Sequence, residues 1–402
     1  MNKRGISAYA AICLILMTAI AASTVTLLLT NAHSSSVVSD ENPYQRLAEI
    51  QNLVETEYYL ETDSQSLTTG AIRGMLGSLN DPYTFYYTQE ELQKTQEEDS
   101  GMYHGIGMLL TNTADGNICV LRVFRDSPAE QAGVQPGDRI LAVDGTAVSA
   151  TTSLGLSEVI SQIRSGDGES VQLQLQRDSE TLEVSIVFSD VTINYVEYQI
   201  LDGDIGYLSL YQFVGNDVEG FSEALSAFRE ADVCGMIVDL RSNPGGYLDD
   251  VVEICDMLLP QGLIVYTEDR QMRRQEFYAD EEYWDIPLAV LVNEHSASAS
   301  EIFAAAIQEA QRGLIVGEKT YGKGVVQTLY TFPEGDGVQL TTSAYYTASG
   351  TSIHGTGVTP DIQAPTTDAL VSFYAPDPKN DSQLATALDA LRAQIAVSEP
   401  AA

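Results

Sequence analysis

Cysteine and histidine are scarce in this sequence. Only four of each occur among 402 residues, and the cysteines do not show the spacing of metal ligands. Cys13 lies in an apolar N-terminal stretch, which leaves an odd number, Cys119, Cys234 and Cys255, so a disulfide framework is not expected. Because Cys234 and Cys255 lie in apolar surroundings, we predict that both are buried free thiols.

Basic residues are also few. The 20 Lys and Arg residues against 57 Asp and Glu give a formal net charge of -37, which opposes contact with a phosphate backbone. Nucleic acid is therefore not an expected partner, and we interpret the acidic surface as a solvated one. With 44% hydrophobic residues, the chain is expected to fold, and its length predicts two or three domains.

The first thirty residues contain a long apolar stretch. Lys3 and Arg4 precede an almost uncharged run over residues 6–30, which is long enough to cross a bilayer. A cleaved signal peptide usually has a shorter apolar region, although Ala19 and Ala21 fit a cleavage site. We therefore expect a single-pass anchor over residues 1–33, with the later residues on the extracytoplasmic side of the cell membrane because the basic residues stay inside.

The remaining patterns predict a multidomain α/β fold. Residues 34–42 are polar and form a linker, whereas apolar residues at helical spacing fill the region after them. Short β-like runs broken by Gly, Pro and Asp then give way to alternating strands and helices. The expected regions are a helical N-terminal region over 43–100, a β-rich module over 101–190, an α/β domain over 191–365, and a tail with a last helix over 366–402.

A serine-rich segment joins an apolar strand to an apolar helix. Residues 293–301 include Ser296, Ser298 and Ser300. The unpaired amides and the dipole at the start of a helix can stabilise the negative charge that develops when a nucleophile attacks a carbonyl. The segment therefore suits a nucleophile, but one of these serines also suits a plain helix N-cap.

A lysine lies between two glycines at the start of a later strand. Lys323, between Gly322 and Gly324, is expected to have restricted access to solvent. A general base must be neutral, and lowering a lysine pKa from about 10.4 to near 7 requires roughly 4–5 kcal/mol, chiefly from desolvation. Gln327 follows four residues later and could orient the amine. The alternative is a surface or phosphate-binding lysine in a glycine turn.

A third segment leaves a buried strand and enters a helix. In this loop, Asn243 and Pro244 precede Gly245 and Gly246, which permit close approach of the backbone. Their amides could form half of an oxyanion hole, and the amide of Ala299 could form the other half. On its own, such a glycine pair is usually only a turn.

Together these segments resemble the carboxyl-terminal processing peptidases, also called tail-specific proteases. The matching motifs are Asp81-Pro82-Tyr83-Thr84, the module 105–177, Asn243-Pro244-Gly245-Gly246, and the segments 296–301, 322–327 and 355–361. The resemblance implies a serine endopeptidase without metal or cofactor, with a protease core of the ClpP/crotonase-like type. It implies Ser298 as nucleophile, Lys323 as base with Gln327 beside it, oxyanion donors at Gly245 or Gly246 and Ala299, and a supporting role for Glu301.

The β-rich module resembles a PDZ domain. The resemblance implies that the loop Gly105, Ile106, Gly107 and Met108 offers backbone amides to the terminal carboxylate of a protein substrate, whose tail adds as an edge strand. Family members often gate the protease with this domain, and Arg164 is a candidate for relaying that signal. The expected partners are protein substrates with such tails, a second copy through the N-terminal region, and an activating protein.

Two rival functions use the same segments. His295 lies three residues before Ser298, and His354 lies in a later glycine-rich segment, so a histidine-dependent esterase is one alternative. Neither histidine has an evident acidic partner in the sequence. The other alternative is a peptide-binding scaffold without catalysis, because one fold can serve both purposes.

Overall fold

The computed structural model describes residues 43–113, 116–148, 155–164, 169–365 and 376–398. The expected anchor over 1–33 and the linker over 34–42 lie outside the described residues. Among the helices of the described ranges, none combines the length and hydropathy that a bilayer-spanning segment needs. The chain divides into two compact units, Met1–Met75 and Leu76–Ala402.

In the first unit, α1 spans Pro43–Glu57. Helix α2 spans Ser64–Gly77 and begins in the same unit. Asp63 starts α2 because its Oδ2 accepts the Ser66 amide at 2.8 Å, as a side chain at a helix N-cap does. The predicted apolar spacing is present, yet Leu47 and Leu53 remain 48% and 60% exposed. The apolar side chains of α1 are therefore largely uncovered.

The second unit begins with a turn that leads into a strand. After the Asp81–Thr84 turn, β1 spans Phe85–Tyr87 and α3 spans Gln89–Asp99. The region 43–100, which we expected to be helical, thus includes a strand, and β1 pairs antiparallel with a strand of residues 337–347. This pairing joins residues 85–87 to the α/β domain.

The β-rich module forms its own core. Its elements are β2 Met102–Gly105, β3 Met108–Asn112, β4 Ile118–Val123, α4 Pro128–Gln131, β5 Arg139–Val143, β6 Thr146–Ala147, α5 Leu156–Arg164, β7 Ser170–Arg177, β8 Glu180–Val187 and β9 Ser189–Thr192. The main sheet has the order β3-β4-β5-β7-β8, and β2 pairs with β9. Strand β3 is therefore at an edge. Ser127 caps α4, with Pro128 in its first turn.

The α/β domain completes the unit. Its elements are β10 Val196–Leu201, β11 Ile205–Leu210, α6 Asp217–Glu230, β12 Gly235–Asp239, α7 Leu248–Asp256, β13 Gly262–Asp269, β14 Arg274–Ala279, β15 Leu288–Val292, α8 Ala299–Glu309, β16 Leu314–Gly317, β17 Val325–Thr331, β18 Gly337–Thr347, β19 Ile362–Gln363 and α9 Ser382–Ser398. One sheet has the order β10-β11-β12-β15-β16-β19, and a second combines β1, β18, β13 and β14 with β17 beside β18.

The central sheet is covered on both faces. All five residues of β12 are buried, as expected of a parallel strand between two layers. Met236 and Val238 point into the core that contains Phe303 of α8, whereas Ile237 points into the core that contains Leu388 of α9. The last helix predicted from the sequence is thus confirmed as a layer of the domain.

The sheet brings two loops to one edge. Strands β12 and β15 are parallel neighbours, and Asp239 is opposite Leu291, so the loops after them leave from the same side. Arg241 anchors the first loop, since its Nη2 contacts Asp239 Oδ2 at 2.6 Å and Asp381 Oδ2, before α9, at 2.8 Å. The glycine loop and the serine segment are therefore adjacent.

One prediction about the cysteines is wrong. Neither Cys234 nor Cys255 forms a disulfide, and Cys255 is buried, but Cys234 is exposed. Its Sγ lies 3.5 Å from the carbonyl oxygens of Gly203 and Asp204, in the hairpin turn before β11. The apolar residues after Cys234 belong to β12, whereas Cys234 itself precedes that strand and faces outward.

Candidate active site

Ser298 sits at a strained turn between β15 and α8. It has φ 57° and ψ −115°, a combination that L residues rarely adopt and that costs on the order of 1–3 kcal/mol. The residue immediately precedes the first turn of α8, where backbone amides lack acceptors within the helix. The strain is held in place by the neighbouring loop and by a buried carboxylate, and it presents a half-buried side chain at the helix N-terminus.

The two neighbouring serines hold the loop together. Ser296 is fully buried, and its hydroxyl donates to the Leu240 carbonyl at 2.8 Å. Ser300 is also fully buried, and its hydroxyl donates to the Asn243 carbonyl at 3.0 Å. Both hydroxyls thus fasten the serine segment to the loop after β12. Ser298 is the most accessible of the three.

The Glu301 carboxylate joins the serine segment to the lysine segment. This side chain has no exposed surface. Its Oε2 accepts the amide of Ser298 at 2.9 Å and the amide of Lys323 at 2.8 Å. Its Oε1 accepts the Thr320 hydroxyl at 2.6 Å and the Gly322 amide at 2.7 Å. One buried group therefore fixes the backbones of both candidate dyad residues.

Tyr345 on β18 makes a second link between the same two residues. Its hydroxyl donates to the Ser298 carbonyl at 3.1 Å and also contacts the Lys323 carbonyl. Burial, and then the charge of Glu301, raise the pKa of Tyr345 well above its usual value, so the hydroxyl keeps its proton. Glu301 thus binds the backbone amides of Ser298 and Lys323, and Tyr345 binds their backbone carbonyls.

Lys323 has the restricted surroundings that its glycine neighbours predicted. The residue is half-buried, and its Nζ lies 4.8 Å from the centroid of the Tyr83 ring. Burial lowers the pKa of Lys323, against the opposing charges of Asp81 and Glu301. Desolvation penalises the ammonium form, which is the direction that a general base requires.

The glycine loop contacts Ser298 directly. A Cβ on Gly245 would lie 2.7 Å from the Ser298 Cβ and 2.9 Å from the Ala299 nitrogen, so only glycine permits this approach. The Gly245 amide donates to Asn243 Oδ1 at 2.8 Å. Within the described ranges, by contrast, the amides of Gly246 and Ala299 have no protein acceptor. Of the amides considered from the sequence, those of Gly246 and Ala299 can donate to an oxyanion.

Gln327 lies on β17, on the strand that Lys323 precedes. Its Nε2 donates to Thr341 Oγ1 on β18 at 3.2 Å. The register between the two strands shifts at Val326 and Gln327, so a β-bulge places this side chain. The structure therefore brings Gln327 to Thr341, a residue to which the sequence gave no role.

Two histidines, His295 and His354, were the alternative candidates for the base. The His295 side chain is 68% exposed, with Glu294 Oε1 3.6 Å away at the surface. His354 Nδ1 accepts the Gly324 amide at 3.3 Å and thus supports the lysine loop.

The β-rich module contains a groove between β3 and α5. Its cavity of ≈ 120 Å³ is lined by Gly105, Ile106 and Met108 on one side and by Ile163 and Arg164 on the other. Gly107 has φ 84°, and a Cβ there would lie 2.1 Å from the Ser127 Cβ, so the loop requires glycine. Because β3 is an edge strand, a peptide has room to pair with it.

Two features of the site were missed in the sequence. Tyr345 sits in an alternating strand and looks like any core tyrosine. The Asp81–Thr84 motif was noted without a role, yet Thr84 Oγ1 accepts the Thr341 amide at 3.2 Å and the Tyr83 ring faces Lys323. The turn at residues 81–84 is polar and contains proline, and its local sequence does not show that it packs beside Lys323.

Fold and site together define a serine peptidase with a PDZ module, and the comparisons agree. Peptidase family S41 matches residues 204–364, a PDZ domain model matches 104–187, and the N-terminal domain model of the activating protease CtpB matches 7–91.

The carboxy-terminal processing protease CtpA of Bacillus subtilis (strain 168) is 32% identical over 358 residues, which cover 87% of this chain and 76% of that protein. The carboxy-terminal-processing protease of Bartonella bacilliformis is 36% identical over 351 residues, with coverage of 83% and 79%. An S41 protease structure from Bacteroides fragilis shares the fold at a TM-score of 0.59 and 19% identity, covering 87% of this chain and 98% of that one. The chain belongs to the carboxy-terminal processing proteases of peptidase family S41.

Proposed function

We propose that this protease is an endopeptidase whose nucleophile is Ser298 and whose general base is Lys323, and that it cuts substrates captured by their C-terminal tails. The observation that carries the dyad is the Glu301 carboxylate, which accepts the backbone amides of both residues through one oxygen. A buried carboxylate with this many donors fixes geometry, and fixed geometry is what a nucleophile and its base need.

The chemistry follows from the groups present. Neutral Lys323 takes the proton of the Ser298 hydroxyl while Oγ attacks the peptide carbonyl carbon. The amides of Gly246 and Ala299 stabilise the oxyanion. The C–N bond then breaks, Lys323 returns the proton to the leaving amine, and an ester remains on Ser298. Water, deprotonated by the same amine, hydrolyses that ester.

Substitution of the dyad tests this function. We expect Ser298→Ala and Lys323→Ala each to lower cleavage of an unstructured protein substrate at least about a thousandfold, with unchanged circular dichroism. His295→Ala is the matched control and should keep wild-type activity. An esterase dependent on histidine would lose activity in His295→Ala and keep it in Lys323→Ala, and a non-catalytic scaffold would show no cleavage even in the wild type.

Tail capture rests on the groove beside β3. The exposed apolar edge, the glycine loop and Arg164 suit a terminal carboxylate followed by an apolar side chain. Amidation of the substrate C-terminus should raise KM several-fold, while kcat for a short internal peptide that does not reach the groove stays unchanged. An equal KM for the free and amidated tails would contradict tail capture.

The proposal extends to location and assembly. Residues 1–33 serve as the anchor and leave the catalytic part extracytoplasmic; in intact cells, externally added proteinase K should then digest the C-terminal part. The uncovered apolar side chains Leu47, Ile50 and Leu53 of α1 suit a contact with a second copy. Leu53→Glu should then convert the chain, solubilised in detergent, from dimer to monomer in light scattering.

A further inference from the structure

The turn at residues 81–84 forms a wall of the base site. The Tyr83 ring lies 4.8 Å from Lys323 Nζ, and the Tyr83 carbonyl accepts Gln339 Nε2 at 3.2 Å. The strand after the turn pairs with β18, where Phe85 is opposite Gln339. The turn is therefore held against the same strand that carries Thr341.

Asp81 is the centre of the hydrogen bonds in this turn. Its Oδ2 accepts the Thr84 hydroxyl at 2.6 Å, and its Oδ1 accepts the Tyr83 amide at 3.0 Å. Burial acts to raise the pKa of Asp81, but its polar neighbours Thr341 and Thr84 and the Tyr83 amide outweigh burial and lower the pKa. Asp81 is therefore an anion at neutral pH.

Thr341 connects the turn to Gln327. Thr84, whose hydroxyl donates to Asp81, accepts the Thr341 amide through its Oγ1 at 3.2 Å. The Thr341 hydroxyl oxygen in turn accepts Gln327 Nε2 at 3.2 Å. The orientation of the Gln327 amide is thereby set: its nitrogen faces Thr341, and its carbonyl oxygen is the atom left to accept a proton from an amine.

The charges around Lys323 determine what the anion does. The ionisable groups that act on Lys323 or on the turn that faces it are Asp81, Glu301, Tyr83, Tyr321, Tyr345 and His354. Of these, Asp81 and Glu301 are the carboxylates that favour the ammonium form. Glu301 is occupied by four backbone and hydroxyl donors. Asp81 is the carboxylate of the turn whose charge acts on Lys323.

We propose that Asp81 is a positioning residue for the base: through Thr84 and Thr341 it positions Gln327, and its charge stabilises the ammonium that Lys323 becomes when it takes the serine proton. This inference rests on the proposed Ser298 and Lys323 dyad. The charge acts where positive charge develops during the reaction, so its effect falls on the transition state.

The test is the pH dependence of kcat/KM in Asp81→Asn, measured on the full-length protein with an unstructured protein substrate. We expect kcat to fall by about 10- to 100-fold with KM unchanged. Since the amine loses a favourable anion, Lys323 should stay neutral to lower pH, and the acidic limb should move down by about 0.5–1 pH unit.

Two variants of Thr341 separate positioning from folding. Thr341→Val should lower kcat about tenfold, and Thr341→Ser, which keeps the hydroxyl, should restore it. Thr342→Val is the matched control, because Thr342 is the next residue on β18 and its hydroxyl pairs with Thr328 Oγ1 at 2.7 Å instead. This variant should leave kcat and the pH profile unchanged.

The outcomes distinguish an error about Asp81 from an error about the Ser298 and Lys323 dyad. If Lys323→Ala is inactive but Asp81→Asn keeps the wild-type acidic limb and only melts at a lower temperature, Asp81 is a turn cap and the inference is wrong. If Lys323→Ala is active, the dyad itself is wrong. A loss of kcat in Thr342→Val equal to that in Thr341→Val would also overturn the inference.

Discussion

Glu301 and Asp217 are two carboxylates with the same burial and opposite surroundings. Both have no exposed surface, and both lie in the first turn of a helix in the same domain. Glu301 accepts two backbone amides at the dyad and two further donors. Asp217 faces another acid instead: burial, and then the charge of Asp250, raise the pKa of Asp217 to about 7.

The difference shows that the effect of a buried carboxylate depends on the hydrogen-bond donors around it. A helix N-terminus favours negative charge in both cases, so the dipole cannot explain the contrast. The number of hydrogen-bond donors explains the contrast. Four donors hold Glu301 between two segments of the chain, whereas among the described residues no cation pairs with Asp217. Asp217 instead lies beside Asp250, whose pKa burial raises to about 6. We therefore expect substitution of Glu301 to damage activity and substitution of Asp217 to improve stability.

The largest effect is expected for Glu301→Gln. An amide nitrogen would replace one accepting oxygen and oppose a backbone donor of Ser298, Gly322 or Lys323, so the two backbones would separate. We expect kcat to fall by about 100- to 1000-fold, at a cost in stability of about 1–3 kcal/mol. Steady-state kinetics and denaturant unfolding measure both quantities.

Glu309→Gln at the other end of α8 is the matched control. Its carboxylate accepts Thr347 and Ser349 near the surface, away from the dyad, and the variant should keep kcat within about twofold. Equal losses in both variants would mean that Glu301 matters only for the helix.

A smaller effect is expected for Tyr345→Phe. The change removes only the hydroxyl that binds the Ser298 and Lys323 carbonyls, and the Glu301 links remain. Loss of one such group corresponds to about 1–2 kcal/mol, so kcat should fall about tenfold. Tyr346→Phe, the next residue on β18, serves as a control, because the Tyr346 ring stacks on Tyr266 instead. Wild-type kcat in Tyr345→Phe would show that Glu301 alone fixes the dyad.

The smallest effect, a gain in stability and not a loss of activity, is expected for Asp217→Asn. Because the folded-state pKa lies near 7 and above the unfolded value of 3.8, the native state binds the extra proton. Its contribution to stability is present below about pH 4 and is lost as pH rises through 7. Asp217→Asn should therefore stabilise the protein at pH 8 by on the order of 1–2 kcal/mol and flatten the decline of Tm between pH 5 and 8. A lower Tm at pH 8 would contradict this.

Adjacent residues determined what the sequence could predict. The helix after Ser298 and the glycine loop after β12 were predictable because each follows a buried strand directly, and parallel neighbours place their loops together. The restricted surroundings of Lys323 were predictable from its two glycines, whereas the roles of Ser298 and Lys323 come from the family resemblance and stay predictions. The Gly245 amide was offered as an oxyanion donor, but Asn243 two residues earlier takes it, a turn that asparagine often forms.

Long-range contacts explain the rest. Asp81 and Tyr83 reach Lys323 only because β1 pairs with β18, and this pairing of a three-residue strand has no local signature. Tyr345 was indistinguishable from a core residue because its alternation pattern reports burial and not the partner of its hydroxyl. The resemblance to a PDZ domain named the loop at residues 105–108 and Arg164, and Gly105, Ile106, Met108 and Arg164 line one cavity.

Covalent labelling of the nucleophile is the sharpest test of the Ser298 and Lys323 dyad. The full-length wild type, Ser298→Ala and Lys323→Ala are each treated with a fluorophosphonate, and peptide mass spectrometry locates the adduct. We expect an adduct on Ser298 in the wild type, none in Ser298→Ala, and a rate of labelling at least about a hundredfold lower in Lys323→Ala. An adduct on Ser296 or Ser300, or equal labelling of wild type and Lys323→Ala, would contradict the dyad.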